Sequence, residues 1–176
     1  VTNEFRESDK VMTGKTYDAP WMGGFGTSFR WKGLQLSAQF SWIGTRYVIN
    51  NDRYFEEGGV TFGTAYNQSR RVLYNRWKNP GDITDIPKWG EVNQLDDRYL
   101  ENASFLRLKN LSLSYSLPQA WLSKTKFFTL VRIYAQAQNL FTITGFNGLD
   151  PEVSSNVYQA QYPASRQFTL GMEVSF

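Results

Sequence analysis

Three carboxylate neighbourhoods have the spacing for acid–base work: Glu56-Glu57, Asp96-Asp97, and Asp150 with Glu152. A glycosidase holds two carboxyl groups roughly 5–9.5 Å apart across the scissile bond. All three pairs lie in polar stretches, where solvated loop charge is the favoured reading. A β-sheet glycosidase remains a rival, testable at Glu57 or Asp97. Asp82 and Asp85, with nearby loop carbonyls, offer oxygens to a hard cation such as calcium, but their spacing matches no EF-hand loop, and no metal is expected. The 176 residues include neither histidine nor cysteine. That removes imidazole and thiolate metal ligands, cysteine nucleophiles and any triad with a histidine base. Gly23-Gly24-Phe25-Gly26 has the look of a phosphate loop, yet no Lys-Ser/Thr pair or helix follows it. A net charge of +3 is too weak a bias to argue for nucleic acid. No catalytic residue and no cofactor is expected, and the chain reads as a non-enzyme.

Aromatic residues make up 16% of the chain, with 13 Phe, 10 Tyr and 6 Trp. Between Gly44 and Ser104 they include Tyr54, Phe55, Tyr66, Tyr74, Trp77, Trp89 and Tyr99. Aromatic faces stack on sugar rings and pack against peptide side chains, and rigid rings lose little entropy on binding. Tyr66, Trp77, Trp89 and Tyr99 are the candidates for contact with a ligand or a partner protein. For most of them, packing of the loop onto itself or onto a partner is the favoured reading.

These groups need elements to hold them, and five segments alternate apolar and polar residues with period two, the pattern of strands with one apolar face. They run at about 22–31, 34–43, 105–117, 130–141 and 167–176. In the first, Phe25, Thr27, Phe29 and Trp31 oppose Gly24, Gly26, Ser28 and Arg30. Lys32-Gly33 reverses the chain into the second, where Leu34, Leu36, Ala38, Phe40 and Trp42 oppose Gln35, Ser37, Gln39 and Ser41. The third sets Leu111, Leu113, Tyr115 and Leu117 against serines. Its upper part is out of phase, with Leu106 and Leu108 alternating with Arg107 and Lys109. Either a β-bulge near Lys109-Asn110 or departure from the apolar layer would explain that change. The fourth sets Val131, Ile133, Ala135 and Ala137 against Arg132, Tyr134, Gln136 and Gln138. The fifth sets Phe168, Leu170, Met172, Val174 and Phe176 against Gln167, Thr169, Gly171, Glu173 and Ser175.

Such alternation also fits a soluble β-sandwich, and a soluble all-β carbohydrate-binding module is the alternative reading. The connections discriminate better: two residues at Lys32-Gly33, about sixty over 44–104, about ten over 118–127 and about twenty-five over 142–166. Short alternates with long, the asymmetry of transmembrane β-barrels, and compact soluble domains rarely carry a loop of sixty residues. Nine to eleven residues at ~3.3 Å each, tilted by ~45°, cover roughly 21–26 Å, matching a lipid-facing band of ~25 Å. Aromatics gather near strand ends, as in interfacial girdles. Mean hydropathy is −0.47, and no apolar run suits a membrane-spanning helix. Val1 opens the sequence with no signal peptide, as expected for a mature product or an internal portion. Five strands cannot close a membrane barrel, so an all-β, antiparallel barrel portion is expected, with residues 1–176 forming part of one barrel domain. Arg30, Arg132, Tyr134, Gln136, Gln138 and Glu173 would face its polar interior.

The chain resembles the C-terminal barrel region of SusC/RagA-type TonB-dependent outer-membrane transporters. Arg76–Asp82 (RWKNPGD) followed by Ile83, Asp85 and Pro87, Ser104–Pro118 (SFLRLKNLSLSYSLP), Asn139–Phe141 (NLF) with Gly148–Glu152 (GLDPE), and Tyr162-Pro163 with Arg166 carry the likeness. The resemblance implies a 22-stranded barrel filled by a plug, reached by TonB through a TonB box, and closed by a SusD-like surface lipoprotein. Plug and TonB box are not expected in this chain. It implies uptake of oligosaccharides or oligopeptides across the bacterial outer membrane, with family habit leaning slightly towards glycans. It also implies that the lumenal residues contact the plug, that the loop aromatics meet substrate or lid, and that Phe176 serves as a barrel-assembly signal.

Overall fold

The computed structural model describes residues 6–58, 67–91 and 93–176. Among them the strands are β1 (Trp21–Trp31), β2 (Leu34–Gly44), β3 (Tyr47–Asn50), β4 (Leu100–Asn102), β5 (Phe105–Ser116), β6 (Leu130–Thr144), β7 (Val157–Tyr158) and β8 (Gln167–Ser175). Three short helices interleave: α1 (Asn51–Glu56), α2 (Arg70–Asn75) and α3 (Gln119–Thr125). The chain divides into two compact units rather than one body with two irregular loops.

The first unit comprises Pro20–Gly44, Ser104–Gly145 and Pro163–Phe176. It is an antiparallel five-stranded sheet in the order β1-β2-β5-β6-β8. Register turns five separate alternations into two continuous faces. Phe29, Leu36, Leu113, Ala135 and Leu170 lie opposite one another in a single row. The next row reads Thr27, Ala38, Leu111, Ala137 and Phe168, and another reads Trp31, Leu34, Tyr115, Ile133 and Met172. On the opposite face, Ser28, Ser37, Ser112, Gln136 and Thr169 align. Cross-strand neighbours on one face are close enough to interact directly; Phe25 and Phe40 stack with centroids 4.9 Å apart.

The phase change in the third predicted strand is a bulge. The register steps over Lys109 on both sides: Gln39 and Phe40 follow each other on β2 opposite Asn110 and Leu108, and β6 steps from Gln138 to Phe141. The extra residue carries Leu106 and Leu108 onto the apolar face beside Trp42 and Phe40, and Arg107 onto the polar one. Because the pairing resumes beyond this point, β6 continues to Thr144, three residues past its expected end, with Asn139 in the left-handed region at φ 51°. The ten-residue turn before β6 is not bare either. Pro118 opens the two-turn α3, its carbonyl accepting from the Trp121 N–H at 2.9 Å, and Leu122 is buried.

The second unit comprises Val1–Ala19, Thr45–Ala103 and Phe146–Tyr162. A three-stranded sheet in the order β4-β3-β7 organises it, and the β3–β7 pair is parallel: Ile49 lies opposite Val157 and Asn50 opposite Tyr158. Its core is Val48, Ala103, Phe146, Val153 and Tyr158, with Tyr17 packed against them. Asn50 ends β3 and caps α1, its side chain accepting from the Arg53 N–H at 3.2 Å. Ser69 caps α2 in the same way. The stretch expected as a sixty-residue loop thus folds together with its twenty-five-residue counterpart.

Lys32 (φ 44°) and Gly33 (φ 87°) form the β1–β2 reversal, and two positive φ values in a two-residue hairpin turn require residues of this kind. A Cβ on Gly33 would lie 2.5 Å from the Ser116 carbonyl oxygen. Gly33→Val should therefore cost roughly 1–3 kcal/mol, read as an earlier midpoint in a denaturant titration; an unchanged midpoint would mean the turn tolerates another geometry.

Candidate functional site

The sheet presents two chemically opposite surfaces. On the apolar one, Trp21, Phe29, Phe168 and Leu170 are 66%, 57%, 72% and 80% exposed. Met172, Ile143 and Ile133 are exposed beside them. Fully burying such a side chain is worth about 1.5–3 kcal/mol, so a contiguous face of them left open marks a contact with apolar surroundings rather than with water. A sandwich would cover this face with a second layer, and its exposure counts against the soluble binding module.

All six residues expected on the polar face share it. Arg30 pairs with Gln35, its Nη2 donating to Oε1 across a long 3.5 Å. Arg132 Nη1 and Glu173 Oε2 sit 3.6 Å apart as register partners, both substantially exposed; such a pair contributes about 0–1 kcal/mol. Tyr134 lies across Gly171, where a Cβ would fall 2.3 Å from the Tyr134 ring, so the glycine makes room for a large aromatic on this face. Gln136 aligns with Ser112 and Thr169, and Gln138 with Asn110 and Gln167. Arg107 joins the same face, almost fully buried, its Nε donating to Thr142 Oγ1 at 2.8 Å. Its place depends on the bulge, and the out-of-phase run around it is the signal that could have revealed it.

The loop aromatics are dispersed. Tyr99 is buried: its hydroxyl donates to Asn93 Oδ1 at 2.6 Å, and its ring meets Tyr54 edge-on at 5.6 Å. Trp77 is half-buried, its N–H donating to the Ile86 carbonyl at 3.0 Å. Trp89 is exposed, with the Arg76 guanidinium 5.6 Å from its ring centroid. Tyr66 lies outside the described residues. Phe176 is exposed and packs edge-on against Phe127 at 5.2 Å.

A charged hub organises the second unit instead. Glu57, expected as solvated loop charge, has a side chain only 4% exposed and accepts from both Arg53 and Arg71. Arg53 also reaches Glu101 at 2.6 Å and Asp85 at 3.3 Å, and Arg71 holds both Asp85 oxygens at 2.9 and 2.8 Å. Glu101 in turn accepts from the Asn147 N–H at 3.1 Å, joining residues on either side of the sheet segments. Burial works against the Arg53 cation, but the bonds to Glu57 and Glu101 outweigh it and hold its pKa above the ordinary value. Burial likewise pushes Asp85 up, and the Arg71 bond overrides it, so this carboxyl sits below its usual range. Asp82 is held low by the backbone N–H groups of Asn79 and Lys78, which it accepts at 2.9 and 3.0 Å. The carboxylates considered for a hard cation are thus committed to guanidinium and backbone donors. Both Asp96 oxygens are taken by Arg98 at 2.8 Å. No group of three or more metal-ligating side chains comes together among the described residues, and no helix there is long and apolar enough to cross a membrane.

No family model matches the chain. It is 30% identical over 166 residues to TonB-dependent receptor P3 of Formosa agariphila, covering 87% of this chain and 16% of that protein. It is 39% identical over 87 residues to TonB-dependent receptor SusC of Bacteroides thetaiotaomicron, covering 49% of this chain and 9% of that protein. Among solved structures, the RagAB peptide importer in its open-open state matches with a TM-score of 0.88 and 40% identity, over 99% of this chain and 19% of that one. The closed-closed state matches with a TM-score of 0.87 and 41% identity, over the same shares. The chain therefore spans less than a fifth of the length of these relatives.

Removing one partner from a buried ion pair costs roughly 3–5 kcal/mol, so Glu57→Ala should loosen the second unit, leaving Arg53 and Arg71 short of an acceptor. Hydrogen exchange at β3 and β7 should rise while β1 and β2 stay protected. Acid should act in the same direction. Asp85 has a depressed folded pKa, so its contribution is present above the unfolded carboxylate value of about 4 and is lost as pH falls through the folded one. Unchanged exchange at β3 would show that the hub does not hold the unit.

Proposed function

The chain belongs to the SusC/RagA type of TonB-dependent transporters, and on that premise we propose that its five-stranded sheet is an arc of the wall of an outer-membrane β-barrel. The observation that carries this reading is the continuous apolar face, aligned row by row across all five strands and left exposed. Hydrocarbon offers no hydrogen bonds, so a spanning sheet must pair every strand, and an open edge costs several kcal/mol for each unsatisfied group. Among the described residues β1 pairs only with β2, and β8 only with β6. Both outer edges are therefore where the remaining wall continues.

In this reading Arg30, Arg107, Arg132, Tyr134, Gln136, Gln138 and Glu173 line the lumen, where some hold the plug by hydrogen bonds. The whole protein imports oligosaccharides or oligopeptides, with energy delivered from the inner membrane through TonB and a SusD-like lipoprotein closing the outer face. Likeness to a peptide importer at 40% identity supports the oligopeptide class. The wall performs no covalent chemistry; its role is to enclose a polar passage in an apolar sleeve. The two long connections belong on the extracellular side, where long loops lie in such barrels, with Trp77 and Trp89 among their candidates for contact with substrate or lid.

Leu36→Arg or Leu170→Arg should destabilise the barrel in lipid by roughly 2–4 kcal/mol if the residue lies near the bilayer midplane, whereas Ser37→Arg on the other face should be much milder. Equal losses in urea titrations would reverse the assignment of faces. Deleting the gene for the whole transporter, or that for TonB, should abolish growth on an oligopeptide mixture or an oligosaccharide supplied as the limiting nutrient. Undiminished growth on both classes would sink the importer reading.

A further inference from the structure

The connection between β5 and β6 carries lysine and aromatic side chains and no carboxylate: residues 118–129 hold Trp121, Lys124, Lys126, Phe127 and Phe128. Backbone bonds fix it at one rim of the five-stranded sheet. The Ser116 N–H donates to the Gly33 carbonyl at 2.9 Å, and the Thr129 N–H donates to the Ser175 carbonyl at 2.8 Å. The Lys32-Gly33 turn, α3 and Phe176 therefore share that rim. Leu122 is buried, while Trp121 and Phe127 are each 61% exposed. Trp121 and Lys124, three residues apart, share a face of α3. Lys126 closes the helix at φ 52°, and directly after it Phe127 meets Phe128 at 5.0 Å and Phe176 at 5.2 Å. Phe176 continues the apolar alternation of β8, so this ring cluster prolongs the apolar face to its edge. Charge here is one-sided. The five strands contain one carboxylate, Glu173, and it lies on the polar face opposite Arg132. Among the described residues no carboxylate lies within ion-pair distance of Lys32, Lys124 or Lys126; Lys32 lies over the Trp31 ring at 5.1 Å.

We propose that this rim is a docking surface for anionic phospholipid, with Lys32, Lys124 and Lys126 holding phosphodiester headgroups while Trp121, Phe127 and Phe176 enter the acyl boundary. The inference rests on the barrel-wall reading, which sets the short turns at the periplasmic leaflet, and goes beyond it by assigning the charge of the lipid. Two observations select that occupant. The ring cluster is continuous with the face assigned to hydrocarbon, and lysines without a carboxylate among them complement negative charge. Amphipathic rings settle at headgroup depth, and a lysine is drawn to an anionic surface within about a Debye length. An ammonium is a compact point charge that engages phosphate without a fixed approach direction, which suits mobile headgroups. A helix of 7 residues would not hold to a membrane unaided, but the sheet carries α3 to the interface. Gln119 Nε2 donates to the Thr129 carbonyl at 3.2 Å and ties the start of α3 to the entry of β6.

Hydrogen exchange of the whole transporter in lipid nanodiscs tests it, because it reads α3 and the strands separately. One set of discs is phosphatidylcholine alone; the other holds equal parts of phosphatidylcholine and phosphatidylglycerol with the same acyl chains. In wild type the amides of α3 should exchange more slowly in the anionic discs, by about fivefold for each lysine engaged, the scale of one cation at an anionic surface. Lys124→Gln combined with Lys126→Gln should remove most of that difference, and raised salt should shrink it. Lys124→Arg combined with Lys126→Arg should keep it, which separates charge from a disturbed helix. Lys88→Gln, in the other compact unit, should leave it unchanged. Exchange of α3 that is equal in both discs, or a difference indifferent to the glutamine variant, overturns the inference, while protected β2, β5 and β6 leave the barrel wall standing. Strands that exchange freely in both discs would overturn the wall, and the docking surface with it.

Discussion

A slip of one residue in any strand of the main sheet would rotate its apolar side chains onto the polar surface, and the two-faced character of the molecule depends on no such slip occurring. Backbone pairing gives each strand its neighbours, but the period of two decides which side chains share a side. The rows through Leu36 and Ser37 differ by one position and present opposite chemistry across all five strands. At Lys109 the chain itself shifts phase, and a bulge absorbs the shift so that Leu106 and Leu113 still point the same way. Without it, Arg107 would stand in the apolar row and Leu108 in the polar one.

The second unit obeys a different economy. It has a small core around Val48, Phe146 and Tyr158, and much of its definition comes from ionic hydrogen bonds. A guanidinium suits that task because its planar fork can satisfy several acceptors at once. Arg53 reaches Glu57, Glu101 and Asp85 and also donates to the Arg98 carbonyl at 3.3 Å. Nearby, Arg46 donates to the Val153 carbonyl while lying 4.3 Å from the Tyr17 ring centroid, so residues from all three segments of the unit meet around one side chain. Of the carboxylates weighed for acid–base or cation-binding roles, Glu57 and Asp85 are held here by guanidinium groups.

What could be read from the residues alone was what depends on short range. The five alternating strands, the Lys32-Gly33 reversal and the irregularity near Lys109 all leave marks within a few positions of themselves. The shared face of Arg132, Tyr134, Gln136 and Gln138 follows from parity. Glu57 could not be told from Glu56 in this way, because its partners come from α1, from α2 fourteen residues away, and through Arg53 from Glu101 forty-eight residues beyond that arginine. Tyr99 looked like any other loop aromatic until Asn93 and Tyr54 enclosed it. The length of β6 depended on what lay opposite it, and α3 was hidden in a connection whose length alone suggested a turn.

The parallel pairing of β3 with β7 joins two connections that the chain lays down far apart; Asp52 and Ala160, which hydrogen-bond at 3.0 Å at the same junction, are 108 positions from each other. Such a pairing makes the two connections a single inheritable module. A chimera that grafts one of them from a relative would leave Ile49 and Asn50 facing an unfamiliar backbone, and Glu101 without Asn147. Variation in this part of the family should therefore travel in matched pairs, with the five-stranded sheet free to diverge on its own schedule.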